Sequence, residues 1–298
     1  MKIVIILNGI SRKKKAFYNE ILPALSSHFD IEVLETLYAG HAEELAEKAI
    51  DQQFDCLLVA GGDGTLNQVV NGVLKSVRLD KPSIGLIPLG SGNDFARTCS
   101  LRWDAEQLIQ LLRANPTPTD IGMIECVDKG VATTRYFINE CSLGMGPEVV
   151  KRLSKSSKRW GPDISYFASI LSTFIHHRPQ EIQCTTDSWE WKGKARVIAI
   201  ANGRSFGNGI FIAPAADPGD GLFNSFIAGN LIIWKFLLFL QTLKGKKKIN
   251  HPAIHYHTLS SAHLSAEAHC ELEAEGEIVG SLPATIRILP KRINFFRS

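Results

Sequence analysis

The sequence predicts a parallel α/β domain at its N-terminal end and a second, mostly antiparallel β domain after it. Up to about Ala114, short apolar runs without polar alternation are separated by amphipathic helical segments, as expected of strands covered on both faces. Past the proline-containing stretch Asn115 to Asp120, helical periodicity thins out and strand-like runs dominate. The length of 298 residues exceeds one ordinary compact core and falls short of three.

In the first domain, Ile3 to Leu7, Ile31 to Leu34, Cys56 to Ala60 and Ile84 to Ile87 read as strands. Phe17 to Leu25 and Ala42 to Ala49 read as helices. A third begins at Leu66, where Leu66, Val69, Val70, Val73 and Leu74 recur at helical spacing. Such βαβα alternation gives a parallel sheet with covering helices. The second domain carries strand-like runs at Tyr136 to Asn139, Val197 to Ala201, Leu222 to Ile227, Ala262 to Ser265 and Thr285 to Leu289, with helices near Ile164 to Phe174 and Leu231 to Leu243. The expected domains are 1–120 and 121–298. No internal repeat or low-complexity segment interrupts them.

Composition narrows the function classes. Apolar residues make up 45% and charged residues 21%, the balance of a folded soluble chain. Thirty-three basic against thirty acidic residues leave a net charge of +3, too little for a nucleic-acid field, so no nucleic-acid partner is expected. The six cysteines are scattered without metal-ligand spacing, which suggests small buried apolar residues. His176, His177, His251, His255 and His257 form no zinc motif and are expected at loop or strand surfaces. The first residues run into an apolar strand without a basic leader, so a cytoplasmic location is expected. Leu231 to Leu243 falls short of the ~20 apolar residues that span a bilayer. It is apolar nearly all round and is expected to be buried, with Lys244, Lys246, Lys247 and Lys248 complementing its dipole; the alternative is that these lysines beside an apolar helix touch anionic headgroups.

Gly61-Gly62-Asp63-Gly64-Thr65 follows a buried strand and precedes a helix. Glycines at 61, 62 and 64 let backbone N–H groups approach a phosphate, and the helix N-terminus adds a favourable dipole. Thr65 suits capping of that helix or phosphate binding. Asp63 alone would repel a phosphate and makes sense if it helps hold a Mg²⁺ that bridges phosphates. A tight strand-to-helix turn with an Asp cap would use the same residues. A second glycine loop, Pro88-Leu89-Gly90-Ser91-Gly92-Asn93-Asp94-Phe95-Ala96-Arg97, follows the next strand and so lies at the same edge of a parallel sheet, the edge that ligands favour. Neither G-x-x-x-x-G-K-[ST] nor G-x-G-x-x-G occurs, so ordinary P-loop and dinucleotide fingerprints are absent.

With these two loops the sequence resembles the diacylglycerol kinase and sphingosine kinase family, in particular its bacterial lipid kinase branch. The resemblance continues through Phe137-Ile138-Asn139 with Gly144 and Gly146, then Ala201-Asn202-Gly203, Pro214-Ala215, Asp220-Gly221-Leu222, Glu275-Gly276-Glu277 and Leu289-Pro290, so it covers essentially the whole chain. Trp189 to Arg204 is similar to the bacterial enzyme that phosphorylates phosphatidylglycerol. The resemblance implies a Rossmann-like N-terminal domain, of the phosphofructokinase and NAD kinase kind, and a C-terminal β-sandwich, with ATP bound between them. It implies nucleotide contacts at Asn8, Thr36, Gly61, Gly62, Asp63, Gly64, Thr65, Leu66, Asn67, Gln68, Gly90, Ser91, Gly92 and Asn93. Asp120 matches an acidic position used near the active-site Mg²⁺, and Asp217, Asp220 and the Leu222 carbonyl match a structural Mg²⁺ site; a proline-glycine turn would use the same residues for backbone reasons.

Three positions depart from the family pattern. The early N-P-x-S-G turn is replaced by Asn8-Gly9-Ile10-Ser11-Arg12, a Glu is replaced by Gln68, and the Asp of the D-G-E base motif is replaced by Glu275. Glutamate offers the same proton-accepting chemistry on a longer stem. The implied activity is ATP-dependent, Mg²⁺-assisted phosphorylation of a lipid hydroxyl, of diacylglycerol, phosphatidylglycerol or sphingoid type, by an enzyme of phospholipid metabolism in peripheral contact with the inner face of the membrane. Trp160, Tyr166 and Phe167 are candidates for a cleft wall, with core packing as the alternative. The oligomeric state stays open, a homodimer included. Competing readings are a kinase of a soluble substrate such as NAD, and a catalytically weak nucleotide- and lipid-binding protein.

Overall fold

The computed structural model describes residues 1–52, 54–76, 81–155 and 162–297; Trp160 lies outside them. The chain divides into two compact units, Met1–Ile121 with Pro290–Ser298, and Gly122–Leu289. The first boundary falls one residue past the expected 120. The second was not expected, because the C-terminal segment was assigned to the second domain. Apolar anchors explain the return: Phe295 is fully buried and meets the Phe95 ring edge-on at 5.3 Å, and Phe296 is buried in the first unit's core.

In the first unit, β1 (Lys2–Leu7), β2 (Asp30–Glu35), β3 (Cys56–Gly61) and β4 (Ser83–Pro88) form a parallel sheet in the order β2-β1-β3-β4. β3 is buried at every position, and β1 at all but its first, which accounts for their unbroken apolar sequence. Helical residues 14–26 run as α1 (Lys14–Ala16), a π-helical turn (Phe17–Ile21) and α2 (Leu22–Ser26). Then come α3 (His41–Asp51), α4 (Asp63–Lys75), α5 (Asp94–Thr98) and α6 (Ala105–Arg113). The Asp104 carboxylate caps α6 by accepting the N–H groups of Glu106 and Gln107, worth about 1 kcal/mol. The expected start of α4 at Leu66 is corrected to Asp63, because the three residues before Leu66 already wind into the first turn.

The proline-containing stretch at the expected boundary is largely strand: β5 runs Thr117–Asp128 and crosses the division between the units. The second unit continues with β6 (Val131–Phe137), β7 (Glu140–Gly144), α7 (Met145–Lys155) and α8 (Pro162–His176). β8 (Gln180–Thr186), β9 (Glu190–Ala195), β10 (Val197–Ala201) and β11 (Phe223–Ala228) follow. α9 (Ile233–Lys244), β12 (Ile254–Leu259), β13 (Ser261–Ala266), β14 (Glu271–Ala274) and β15 (Glu277–Phe295) complete it, with β15 passing into the first unit.

Within the second unit, β12-β11-β10-β7-β14 form one layer, joined through β15 to β13, β8 and β9 and to β5 and β6. Pairing there is antiparallel. Alternating side chains of β10 and β11 separate two cores. Ile198, Ile200, Phe223 and Ile227 face a sandwich core with Phe137, Cys184 and Ile286. Ala199, Ala201, Phe226 and Ala228 face a layer containing Val149 of α7, Phe174 of α8 and Leu240 of α9. Stacked Phe137 and Phe223 rings, 5.5 Å apart, anchor the sandwich core, an aromatic pair worth about 0.5–1.5 kcal/mol beyond area burial.

Several expectations change here. α7 was not foreseen, because its polar residues mask a short apolar stripe. All six cysteines are buried and none forms a disulfide, as composition suggested. His177, expected at the surface, is buried and pairs its Nδ1 with Glu148 at 2.7 Å. Tyr166 packs into the helical layer, whereas Phe167 is exposed. α9, expected to be buried all round, buries only Leu240 and Leu243 and turns Ile233, Trp234, Leu237 and Leu238 outward.

Candidate active site

The first unit's site is built where its strand order changes direction. β1 has β2 on one side and β3 on the other, so the loops leaving β1 and β3 diverge and open a crevice at the carboxyl edge. Asn8 ends β1, with its N–H donating to the Ala60 carbonyl at 2.9 Å and its side-chain amide donating to the Thr65 hydroxyl at 3.1 Å. The Gly9 N–H donates to the Thr36 hydroxyl at 3.1 Å, tying the β1 loop to the end of β2. A side chain at Gly9 would stand 2.2 Å from the Thr36 carbonyl oxygen, so the departed turn still requires its glycine.

The two glycine loops touch through their backbones. β3 and β4 pair in parallel up to Gly61 and Pro88, and the Gly61 carbonyl accepts the N–H of Leu89 at 2.8 Å and of Gly90 at 3.2 Å. A Cβ added at Gly90 would fall 2.6 Å from the Gly62 Cα and 2.8 Å from Asn93 Oδ1. Asn93 adopts a left-handed backbone, φ 54°, and donates its side-chain amide to the Gly90 carbonyl at 2.7 Å, closing the second loop. At the head of α4, N–H groups of the first turn have no carbonyl of an earlier turn to bond, and the dipole favours an anion there.

Sequence assignments separate here by side chain. Thr65 does not cap α4; the cap position is Gly62, and the Thr65 hydroxyl accepts from Asn8 instead. Leu66 is fully buried and its N–H already bonds the Gly62 carbonyl at 3.0 Å, so it offers the loop nothing. Asn67 is buried, with Oδ1 accepting from Asn71 at 3.1 Å. Gln68 is half-buried and Ser91 is exposed.

Asp63 is the charged member of the first loop. Its Oδ1 accepts the Phe95 N–H at 3.0 Å, which locks the first loop to the start of α5. Burial, and then the neighbouring Asp94 carboxylate, push its pKa up, opposed by backbone N–H groups of Phe95 and Asp94. A side chain at Gly92 would lie 3.0 Å from Asp63 Oδ2 and 3.6 Å from Asp94 Oδ2, so both carboxylates converge on that glycine. Paired oxygen donors whose mutual repulsion a divalent cation would relieve fit Mg²⁺. Asp94, overlooked as a site residue, was legible in the Gly92-Asn93-Asp94 stretch; only burial and the approach to Asp63 mark it out. Arg97 also serves this loop, bonding the Gly92 carbonyl and, at 3.2 Å, Asp94. Asp120 is fully buried in the same unit, where its Oδ1 accepts the Lys291 N–H at 2.7 Å and pins the returning C-terminal segment.

The second unit holds the remaining candidates. Glu275 and Gly276, at φ 53° and 81°, form the turn between β14 and β15, and the Glu275 carboxylate accepts the N–H groups of Ile138 at 3.0 Å and Asn139 at 2.6 Å. The Asn139 carbonyl in turn accepts from Asn202 at 2.8 Å and Gly203 at 2.9 Å, so the Phe137-Ile138-Asn139 and Ala201-Asn202-Gly203 motifs form one scaffold under Glu275. Below it, buried Glu273 accepts the Ser142 hydroxyl and, at 3.0 Å, the Gly276 N–H. Burial pushes the Glu273 pKa up to about 7. Elsewhere in this unit, Asp220 Oδ1 accepts the Leu222 N–H at 2.9 Å and the Asp220 N–H points to the Asp217 carbonyl at 3.4 Å, a turn closed by its own backbone. Its carboxylate and carbonyl oxygens are the right donor type for a hard cation. Among the described residues, no three His, Cys, Asp or Glu side chains cluster as metal ligands.

Residues 2–124 match the family described as the diacylglycerol kinase catalytic domain, and residues 141–297 match the YegS C-terminal NAD kinase beta sandwich-like domain. The chain belongs to the diacylglycerol kinase family. Within that family it is 26% identical over 295 residues to a diacylglycerol kinase of Staphylococcus saprophyticus, covering 98% of this chain and 94% of the relative. The solved structure of a diacylglycerol kinase from Bacillus anthracis strain Sterne superposes with a TM-score of 0.74 at 19% identity, covering all of this chain and 97% of that one. Yeast NADH kinase in complex with NADH shares the fold more distantly, with a TM-score of 0.56 at 12% identity over 99% of this chain and 82% of that chain. The diacylglycerol kinase family fold is thus the one expected, an NAD kinase-like α/β domain with a β-sandwich.

Proposed function

We propose that the protein is an ATP-dependent lipid kinase that transfers the γ-phosphate of ATP to a hydroxyl group of a membrane lipid. The observation that carries this reading is the backbone contact between Gly62 and Gly90, which makes two glycine loops one continuous anion cradle at the carboxyl edge of a parallel sheet. Asn8 and Thr65 border the cradle through the hydrogen bond between them, Thr36 borders it through the Gly9 N–H, and the N–H groups heading α4 would face the phosphates. Mg²⁺, when bound, would be held by Asp63 with Asp94 beside it and would neutralise phosphate charge.

In this reading Glu275 is the general base. It takes the proton of the lipid hydroxyl as that oxygen bonds to the γ-phosphorus, and the bond to the departing ADP oxygen breaks. Two backbone N–H groups on one carboxylate oxygen hold the carboxylate in place. The acceptor is of diacylglycerol, phosphatidylglycerol or sphingoid type, and the relatives' name favours diacylglycerol as the first to test. Asp217, Asp220 and the Leu222 carbonyl are proposed as a second, structural Mg²⁺ site.

Purified protein incubated with γ-labelled ATP, Mg²⁺ and a panel of diacylglycerol, phosphatidylglycerol, ceramide and sphingosine should label at least one lipid, and Glu275→Gln should lose that label. Labelling of NAD alone, or nucleotide binding with no lipid labelled, would overturn the proposal.

A further inference from the structure

We infer that the outer face of α9, with the lysine run that follows it, is a docking surface for an anionic lipid bilayer. The inference extends the lipid kinase reading by giving the enzyme a place to meet its substrate, but its observations are separate from the nucleotide site.

At about 100° per residue, Ile233, Trp234, Leu237 and Leu238 share one side of α9, and that side is exposed, with Trp234 at 58% and Leu238 at 56%. Leu243 and the half-buried Phe239 hold the opposite side against the core, Leu240 is buried at the edge between the two sides, and the Phe236 ring stacks on Phe174 of α8 at 4.0 Å. An ordinary surface helix places charge where this one places tryptophan and leucine. Lys235, the charge within that stretch, is drawn to His251 Nε2 at 2.9 Å. The neighbouring α8 repeats the pattern: Ile164, Phe167 and Ile175 fall on one stripe at spacings of three and eight, and all are exposed. Both helices cover the same face of the β10-β11-β12 layer, so their outer stripes belong to one surface.

Charge selects the occupant. From residue 221 to 266 there are five lysines, no arginine and no carboxylate, a local charge of +5 in a chain whose total is +3. Lys244 ends α9, Lys246, Lys247 and Lys248 follow it, and all four are exposed. Apolar residues with an interfacial tryptophan, edged by lysines, match the acyl and headgroup zones of an anionic membrane. A second copy of the chain would set two such lysine runs against each other. α9 has 12 residues, so it is about 18 Å long. No helix among the described residues is long and apolar enough to cross a membrane, so α9 would lie in the interface plane.

The test is co-sedimentation of the full chain with phosphatidylcholine vesicles, with and without phosphatidylglycerol. Wild type should bind the anionic vesicles and release them at high salt. The pairs Trp234→Ser with Leu238→Ser, and Lys244→Ala with Lys247→Ala, should each weaken binding roughly tenfold or more while leaving the thermal midpoint unchanged. Each pair should lose turnover of vesicle-embedded lipid but keep turnover of a short-chain lipid dispersed as monomers. Equal binding of the variants, or binding indifferent to phosphatidylglycerol, would overturn the inference. So would a wild-type dimer in light scattering that the Trp234→Ser/Leu238→Ser pair abolishes. If no lipid is phosphorylated, the kinase reading fails, and vesicle binding still decides the docking surface.

Discussion

The Glu275 carboxylate accepts the Asn139 N–H at 2.6 Å while its own backbone sits in the left-handed region at φ 53°. A glutamate bears that conformation less readily than the aspartate of the family's D-G-E pattern, whose short side chain tolerates it. The longer side chain reaches the Ile138-Asn139 backbone, and those two N–H groups anchor its carboxylate.

Replacing that carboxylate separates chemistry from shape. Glu275→Gln keeps an oxygen to accept the Asn139 N–H but cannot take a proton. Turnover should fall by about 10²–10⁴-fold with little change in KM for ATP. Glu275→Asp should retain part of the turnover and leave the denaturant midpoint close to wild type. Initial rates and urea titrations on the same preparations read both.

The Gly62–Gly90 approach predicts a steric lesion. In Gly90→Ala the new methyl group would lie 2.6 Å from the Gly62 Cα, which is backbone and cannot swing aside. The loops must separate, at a cost of about 1–3 kcal/mol in stability, and ATP affinity should fall together with the denaturant midpoint. Alanine at Gly64, where an added Cβ meets nothing within 4 Å, is the control and should leave the loops in place.

Asp63 should trade stability for function. Its pKa is raised by burial and by Asp94, so its contribution to folding is fully present below the ordinary aspartate range and is lost as pH rises through the elevated value. Ionised Asp63 therefore opposes folding of the ligand-free protein at neutral pH. Asp63→Asn should raise the neutral-pH unfolding midpoint, with the gain vanishing in acid, while Mg²⁺-dependent ATP binding weakens. Thermal melts across pH and nucleotide titrations with and without Mg²⁺ check the two halves.

Glu273 gives a second pH signature in the other unit. Its folded pKa is pushed from 4.5 to about 7, chiefly by burial. Wild-type stability should thus decline as pH rises from about 4.5 through 7, and Glu273→Gln should remove that part of the slope. Urea midpoints of both proteins over that range measure it.

Much of the architecture was legible because it rests on local pattern. Unbroken apolar runs at 3–7 and 56–60 could only be strands covered on both sides, and both glycine loops followed such strands. α7 and most of the short strands of the sandwich escaped notice, since half-exposed segments such as β8 and β9 carry too little apolar contrast to show a period. Within the motif at 61–68, sequence could not tell loop-facing groups from core-facing ones. Leu66 and Asn67 turned inward because the helix starts at Asp63 and rotates them onto its packed side.

By itself, the sequence determined the two kinds of sheet, the family and the two loops after β3 and β4, because periodicity and backbone-permissive glycines are properties of neighbouring residues. Tertiary structure alone decided what depends on residues far apart in the chain: the pairing of Gly62 with Gly90, the approach of Asp94 to Asp63, the anchoring of Glu275 on Asn139, the return of Phe295 to the first unit, and the exposure of one side of α9. Burial and close approach are set by which surfaces meet, and no local pattern specifies that.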